Sequence, residues 1–75
     1  MRVVIEASSS LKKFLSCEKE LILNDEKITV EQILTLCSIP SDEVGIVIIN
    51  SKKSEIDAMV ADGDIIKLFP HLIAG

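Results

Sequence analysis

The chain has neither tryptophan nor tyrosine, and Phe14 and Phe69 are its only aromatics, so aliphatic side chains must carry the core. It has one histidine, His71, and two cysteines, Cys17 and Cys37, with no Cys-x-x-Cys pair. That supply is too small for a zinc-type cluster of nitrogen and sulfur ligands. A disulfide would require Cys17 and Cys37 to meet in space, and a cytosolic chain keeps such thiols reduced. Both read as small packing residues. No apolar run approaches a membrane span and no basic-then-apolar leader is present, which gives the expectation of a cytoplasmic protein. Lysine and arginine number 8 against 12 acids, a net charge of −4, so a basic nucleic-acid footprint is missing. A partner with a basic docking surface fits that balance better. No nucleophile–base pair or acid pair stands at a catalytic spacing, and Ser8 to Ser10 have no base signature nearby.

What is present is a small apolar domain. Seventy-five residues make one domain near the size where a single core just suffices, and 48% hydrophobic against 27% charged residues indicates a folded chain. Met1 to Ala7 reads as a strand with Val3, Ile5 and Ala7 on one face and Arg2, Val4 and Glu6 on the other. Ser8-Ser9-Ser10 breaks it. Leu11, Phe14 and Leu15 fit one helical turn or a hairpin loop. Glu18 to Leu23 is a second strand, with Leu21 and Leu23 alternating around Ile22, and Asn24-Asp25-Glu26 a turn.

The clearest local signal follows. Thr29 is placed as an N-cap, Gln32 completes capping-box spacing, and Glu31 suits the positive end of the helix dipole. Val30, Ile33, Leu34 and Cys37 then line one helix face, which Ser38-Ile39-Pro40 ends. Val44 to Asn50 is an almost uniformly apolar strand, as expected for a central one. Asn50 to Lys53 reads as a turn. Ser54 to Ala61 reads as irregular, made of short extended or turn pieces anchored by Ile56, Met59 and Val60. Asp62-Gly63-Asp64 turns the chain into a last strand, Ile65 to Phe69, stopped by Pro70.

Strand, strand, helix, strand, short element, strand is the order of an α+β, ubiquitin-like β-grasp fold. The expected architecture is a mixed sheet of about four or five strands packed on one main helix, with the first and last strands adjacent at its centre. The domain spans 1–75, with 71–75 as a flexible C-terminal tail.

The chain resembles the small sulfur-carrier proteins of molybdopterin and thiamine biosynthesis, the MoaD/ThiS family. The resemblance rests on Thr29-Val30-Glu31-Gln32-Ile33-Leu34, Val47-Ile48-Ile49-Asn50, Asp62-Gly63-Asp64, and Leu68-Phe69-Pro70 leading to a terminal glycine. Leu68-Phe69-Pro70 looks like the molybdopterin branch, whereas the short chain and Leu72-Ile73-Ala74-Gly75 look equally like the thiamine branch. The family implies a carrier, not an enzyme. Its C-terminal glycine carboxylate is adenylated by a ubiquitin-activating-type enzyme using ATP, then converted to a thiocarboxylate that supplies a sulfur-accepting synthase subunit. Carried onto this chain, the reacting group is the carboxylate of Gly75, and no cofactor is bound here because the partner holds the ATP. A Cα without a side chain suits passage into a tight catalytic channel. Ala74 departs from the family's usual Gly-Gly ending by one methyl.

The resemblance also sharpens the surface. If Ile66 and Leu68 face the helix, then Ile65, Lys67 and Phe69 lie on the open face of the sheet, where Val4, Val47 and Ile49 are expected to join them. Pro70, His71, Leu72, Ile73 and Ala74 complete the expected partner-binding stretch. His71 is read as a contact residue or as neutral, since a general base in the tail has no partner. The other functional class is a ubiquitin-like interaction module that docks through this face and never has its terminus modified.

Overall fold

The computed structural model describes residues 1–15, 19–24 and 26–71. Expectations placed on Cys17, Glu18, Asp25 and residues 72–75 lie outside the described residues. The first strand, β1 (Arg2–Ala7), buries Val3, Ile5 and Ala7, as its alternation predicts. The last strand, β7 (Ile65–Pro70), lies parallel to it, with Ile5 opposite Ile66 and Ala7 opposite Leu68. On the outer side of β1 runs antiparallel β2 (Lys19–Ile22). On the other side of β7 come β4 (Val44–Ile49) and β5 (Lys52–Ser54), both antiparallel to their neighbours. The sheet order is β2-β1-β7-β4-β5, so the first and last strands do sit side by side and β7 is the middle strand of five.

The β4–β5 connection is tighter than the expected Asn50–Lys53 turn. Asn50 and Ser51 alone make it, at φ 51° and 71°. A two-residue hairpin matches the twist of its strands when both residues are left-handed. Lys52 and Lys53 already belong to β5. A second small ladder pairs β3 (Ile28–Thr29) with β6 (Met59–Val60), one of the short extended pieces expected within Ser54 to Ala61. Val60 is buried and Ile56 packs against the core, but Met59 is 54% exposed. Successive strand residues point to opposite faces, so Val60 and Met59 cannot both be anchors.

Helix α1 (Val30–Leu36) begins with the predicted capping box. The Thr29 amide donates to Gln32 Oε1 at 2.8 Å, and the Gln32 amide to Thr29 Oγ1 at 3.3 Å. Its end is a Schellman arrangement: Ile39 N–H reaches Leu34 O at 2.9 Å and Ser38 N–H reaches Thr35 O at 3.1 Å. Ser38 takes the left-handed position, φ 59°, that glycine usually fills. A 3-10 turn, Ser9–Lys13, takes up two of the serines and plugs Leu11 into the core at 1% exposure. Phe14 and Leu15 pack at its margin.

The core lies between one face of the sheet and α1. Ile5, Ile66 and Leu68 meet Val30, Ile33 and Leu34 there, and among the described residues no polar or charged side chain is buried with them. Each such aliphatic contributes about 2 kcal/mol by leaving water, which is how a chain so poor in aromatics holds a fold. The other face of the sheet has no helix over it among the described residues.

Candidate functional site

Because β7 is the central strand, its alternation decides what the open face presents. Ile66 and Leu68 are fully buried, and Ile65, Lys67 and Phe69 take the opposite side, as expected. Ile65 is 44% exposed, Lys67 exposed, and Phe69 and Pro70 half-buried. Residues opposite one another in a ladder share a face. Val4 stands opposite Ile65, Glu6 opposite Lys67, Ile46 opposite Phe69, and Ile48 also opposite Lys67. Val4 therefore joins the open face, but Val47 and Ile49 do not. They pair with Leu68 and Ile66 and face the helix. Ile46 and Ile48 take the places expected of them.

The displaced register comes from an irregularity between Val44 and Ile46. Gly45 is the extra residue, and the reason it is glycine is visible at the end of β7. A Cβ built on Gly45 would lie 2.6 Å from His71 Cα, 2.7 Å from His71 N and 2.8 Å from Pro70 O. All of these are backbone atoms, which cannot turn aside. His71 is exposed, and its ring Nε2–H donates to the Asp42 carbonyl at 2.9 Å, from the 3-10 turn Ser41–Glu43 that precedes β4. A shallow cleft lined by Ser10, Asp42, Glu43, Pro70 and His71 marks this corner. His71 is thus a contact residue within its own chain. Sequence reasoning did not single out Gly45, Asp42, Ile46 or Ile48, although a glycine inside an apolar strand is a recognised sign of a bulge or a close backbone approach. Leu72, Ile73, Ala74 and Gly75 lie outside the described residues.

The electrostatics of the face are plain. Among the described residues the ion pairs are Arg2–Glu20 at 3.5 Å and Lys13–Glu43 at 3.6 Å, both well exposed, and neither uses Lys67. Surface pairs of this kind are worth little. The described residues contain no group of three His, Cys, Asp or Glu able to hold a metal. No described helix is long and apolar enough to cross a membrane. Cys37, a free thiol at the C-cap of α1, is pushed up by burial against a smaller opposing pull from Lys19.

A family model, that of the Mut7-C ubiquitin, matches residues 1–74. The chain belongs to the Mut7-C ubiquitin family. No curated protein matches the sequence. Solved structures do match this Mut7-C ubiquitin fold. One is a protein assigned as molybdopterin converting factor, subunit 1, from Pyrococcus furiosus, at 14% identity and TM-score 0.72 over 96% of this chain and 99% of that one. SAMP1 from Haloferax volcanii is 16% identical with TM-score 0.73, each chain covered completely. A chain from the complex of subunits 1 and 2 of molybdopterin-converting factor from Helicobacter pylori also matches at 16% identity and full coverage of both, with TM-score 0.64. The resemblance to MoaD-type proteins is thereby borne out in the fold, which is the ubiquitin-like β-grasp.

Proposed function

We propose that this chain is a sulfur carrier whose reacting group is the C-terminal carboxylate of Gly75. A ubiquitin-activating-type enzyme adenylates it: a carboxylate oxygen attacks the α-phosphorus of ATP and pyrophosphate leaves. A sulfide equivalent then attacks the acyl carbon, AMP leaves, and the product is a thiocarboxylate that donates sulfur in molybdopterin or thiamine biosynthesis. The carrier performs no catalysis itself. It presents an electrophile that others activate, and binding energy gathered on the domain's face positions the distant reacting atom.

The observation that carries this reading is the course of β7. The central strand lays Ile65, Lys67 and Phe69 on the open face and ends at Pro70, five residues before Gly75 in sequence. A partner seated on that face therefore meets the chain on its way to Gly75. The likeness to the converting-factor structures supports the same reading, and the complex of subunits 1 and 2 in one of them suggests a synthase subunit as acceptor here. Isotope exchange between pyrophosphate and ATP, catalysed by the adenylating enzyme of the same cell, tests it: exchange must require the carrier and must vanish when Gly75 is deleted.

The second reading is a non-covalent interaction module. The apolar members of the open face, Val4, Ile46, Ile48, Ile65 and Phe69, favour it, since such patches on small charged domains mark partner sites. Deleting Gly75 leaves that function intact.

A further inference from the structure

The close approach of His71 to Gly45 defines where the chain leaves the sheet. Val44 is buried and Gly45 exposed, so a side chain at position 45 would rise on the side away from the core, where the His71 backbone stands. The ring of the same histidine is held by the Asp42 carbonyl. One residue is thus located twice, once through its backbone and once through its side chain, at the first position of the expected 71–75 tail. Both Asp42 and His71 are exposed, while Val44, next to Gly45, belongs to the buried cluster.

We propose that Gly45 is a positioning residue for the carrier reaction, with the Asp42–His71 contact as its second anchor, and this rests on the sulfur-carrier reading above. The missing Cβ leaves a passage across the bulged end of β4. His71 lies in it and fixes the direction from which the tail starts relative to the open face. Docking on the face and delivery of the terminus are then geometrically linked. A methyl at position 45 pushes the Pro70–His71 backbone away, and the reacting carboxylate starts from the wrong place. Displacements of about 1 Å in such a delivery can cost on the order of a hundredfold in rate.

The test uses Gly45→Ala, His71→Ala and, as a control on the same sheet, Ser54→Ala. Pyrophosphate exchange is measured with the adenylating enzyme of the same cell over a range of carrier concentrations, and backbone amide spectra are recorded without enzyme. The expected result is a kcat lower by about tenfold or more for Gly45→Ala and by about threefold to fivefold for His71→Ala, the latter matching one lost hydrogen bond. KM stays within about twofold in Gly45→Ala, because Ile65, Lys67 and Phe69 keep their places, and Ser54→Ala behaves as wild type. The amides of Val3, Ile5 and Leu68 should stay in place in Gly45→Ala while those of Asp42 and His71 shift. Wild-type kcat in Gly45→Ala overturns the proposal while leaving the carrier reading standing. Displaced core amides, or a rise in KM equal to the fall in kcat/KM, also overturn it by reducing Gly45 to a folding or docking residue. No exchange with wild type itself overturns the carrier reading and this role together.

Discussion

Asn50 and Asp64 join the two turns at one end of the sheet. Asn50 Nδ2 donates to Asp64 Oδ1 at 2.8 Å, while Asn50 Oδ1 accepts the Ile65 amide at 2.9 Å. The other Asp64 oxygen accepts the Ala61 amide at 2.8 Å. The β4–β5 turn is thereby tied to the start of β7, the strand at the middle of the open face.

Asp64→Ala removes both carboxylate contacts and leaves a half-buried corner. A loss of about 1–2 kcal/mol is expected, read as a lower urea midpoint at unchanged m-value. Asn50→Gly should cost less than Asp64→Ala, because glycine relieves the left-handed φ of 51° while losing the side-chain bonds.

Ser38→Gly should stabilise the protein. Serine holds the left-handed C-terminal position of α1 at φ 59°, and its side chain is exposed. Relief of that strain is worth about 0.5–1 kcal/mol, read as a higher melting temperature.

The α1 start was legible because its chemistry is local: Thr29, Glu31 and Gln32 declare a capping box within one turn. The alternation of β7 was legible because Lys67 interrupts an apolar run and so marks which neighbours face out. In β4 no such marker exists. Val44 to Ile49 is apolar but for Gly45, and a one-residue bulge moved the outward positions from Val47 and Ile49 to Ile46 and Ile48. Gly45 is itself a sign of a bulge in that run, but what it makes room for was illegible, since His71 is remote in sequence and meets it only through the sheet. Met59 failed as an anchor because its partner strand, β3, is too short to announce itself.

Neighbouring residues of β7 should separate docking from stability. Ile66→Ser, at a fully buried position, is expected to cost about 3–4 kcal/mol. Ile65→Ser, at 44% exposure, should cost less than about 1 kcal/mol. The second variant should raise the KM of the adenylating enzyme for the carrier by about tenfold, equivalent to about 1.4 kcal/mol of lost docking energy. Equal melting temperatures for the two would mean the register of β7 is wrong.

Cys37 sets a pH dependence of known sign. Burial raises its folded thiol above the ordinary value, so the folded state holds this proton more tightly than the unfolded chain does. Its contribution to stability is complete below the ordinary thiol range, about pH 8.5, and is lost as pH rises from there through the folded value. The urea midpoint should fall over that alkaline window in wild type and fall less in Cys37→Ala. Alkylation of the peptide containing Cys37 at pH 8 should be slower in the folded chain than in urea.

The most direct measurement is the intact mass of the chain after incubation with ATP, a sulfide source and the adenylating enzyme of the same cell. The expected result is a gain equal to one oxygen replaced by sulfur, located at Gly75 and absent when Gly75 is deleted. A folded wild-type chain that never gains that mass, or a chain lacking Gly75 that still does, would contradict it.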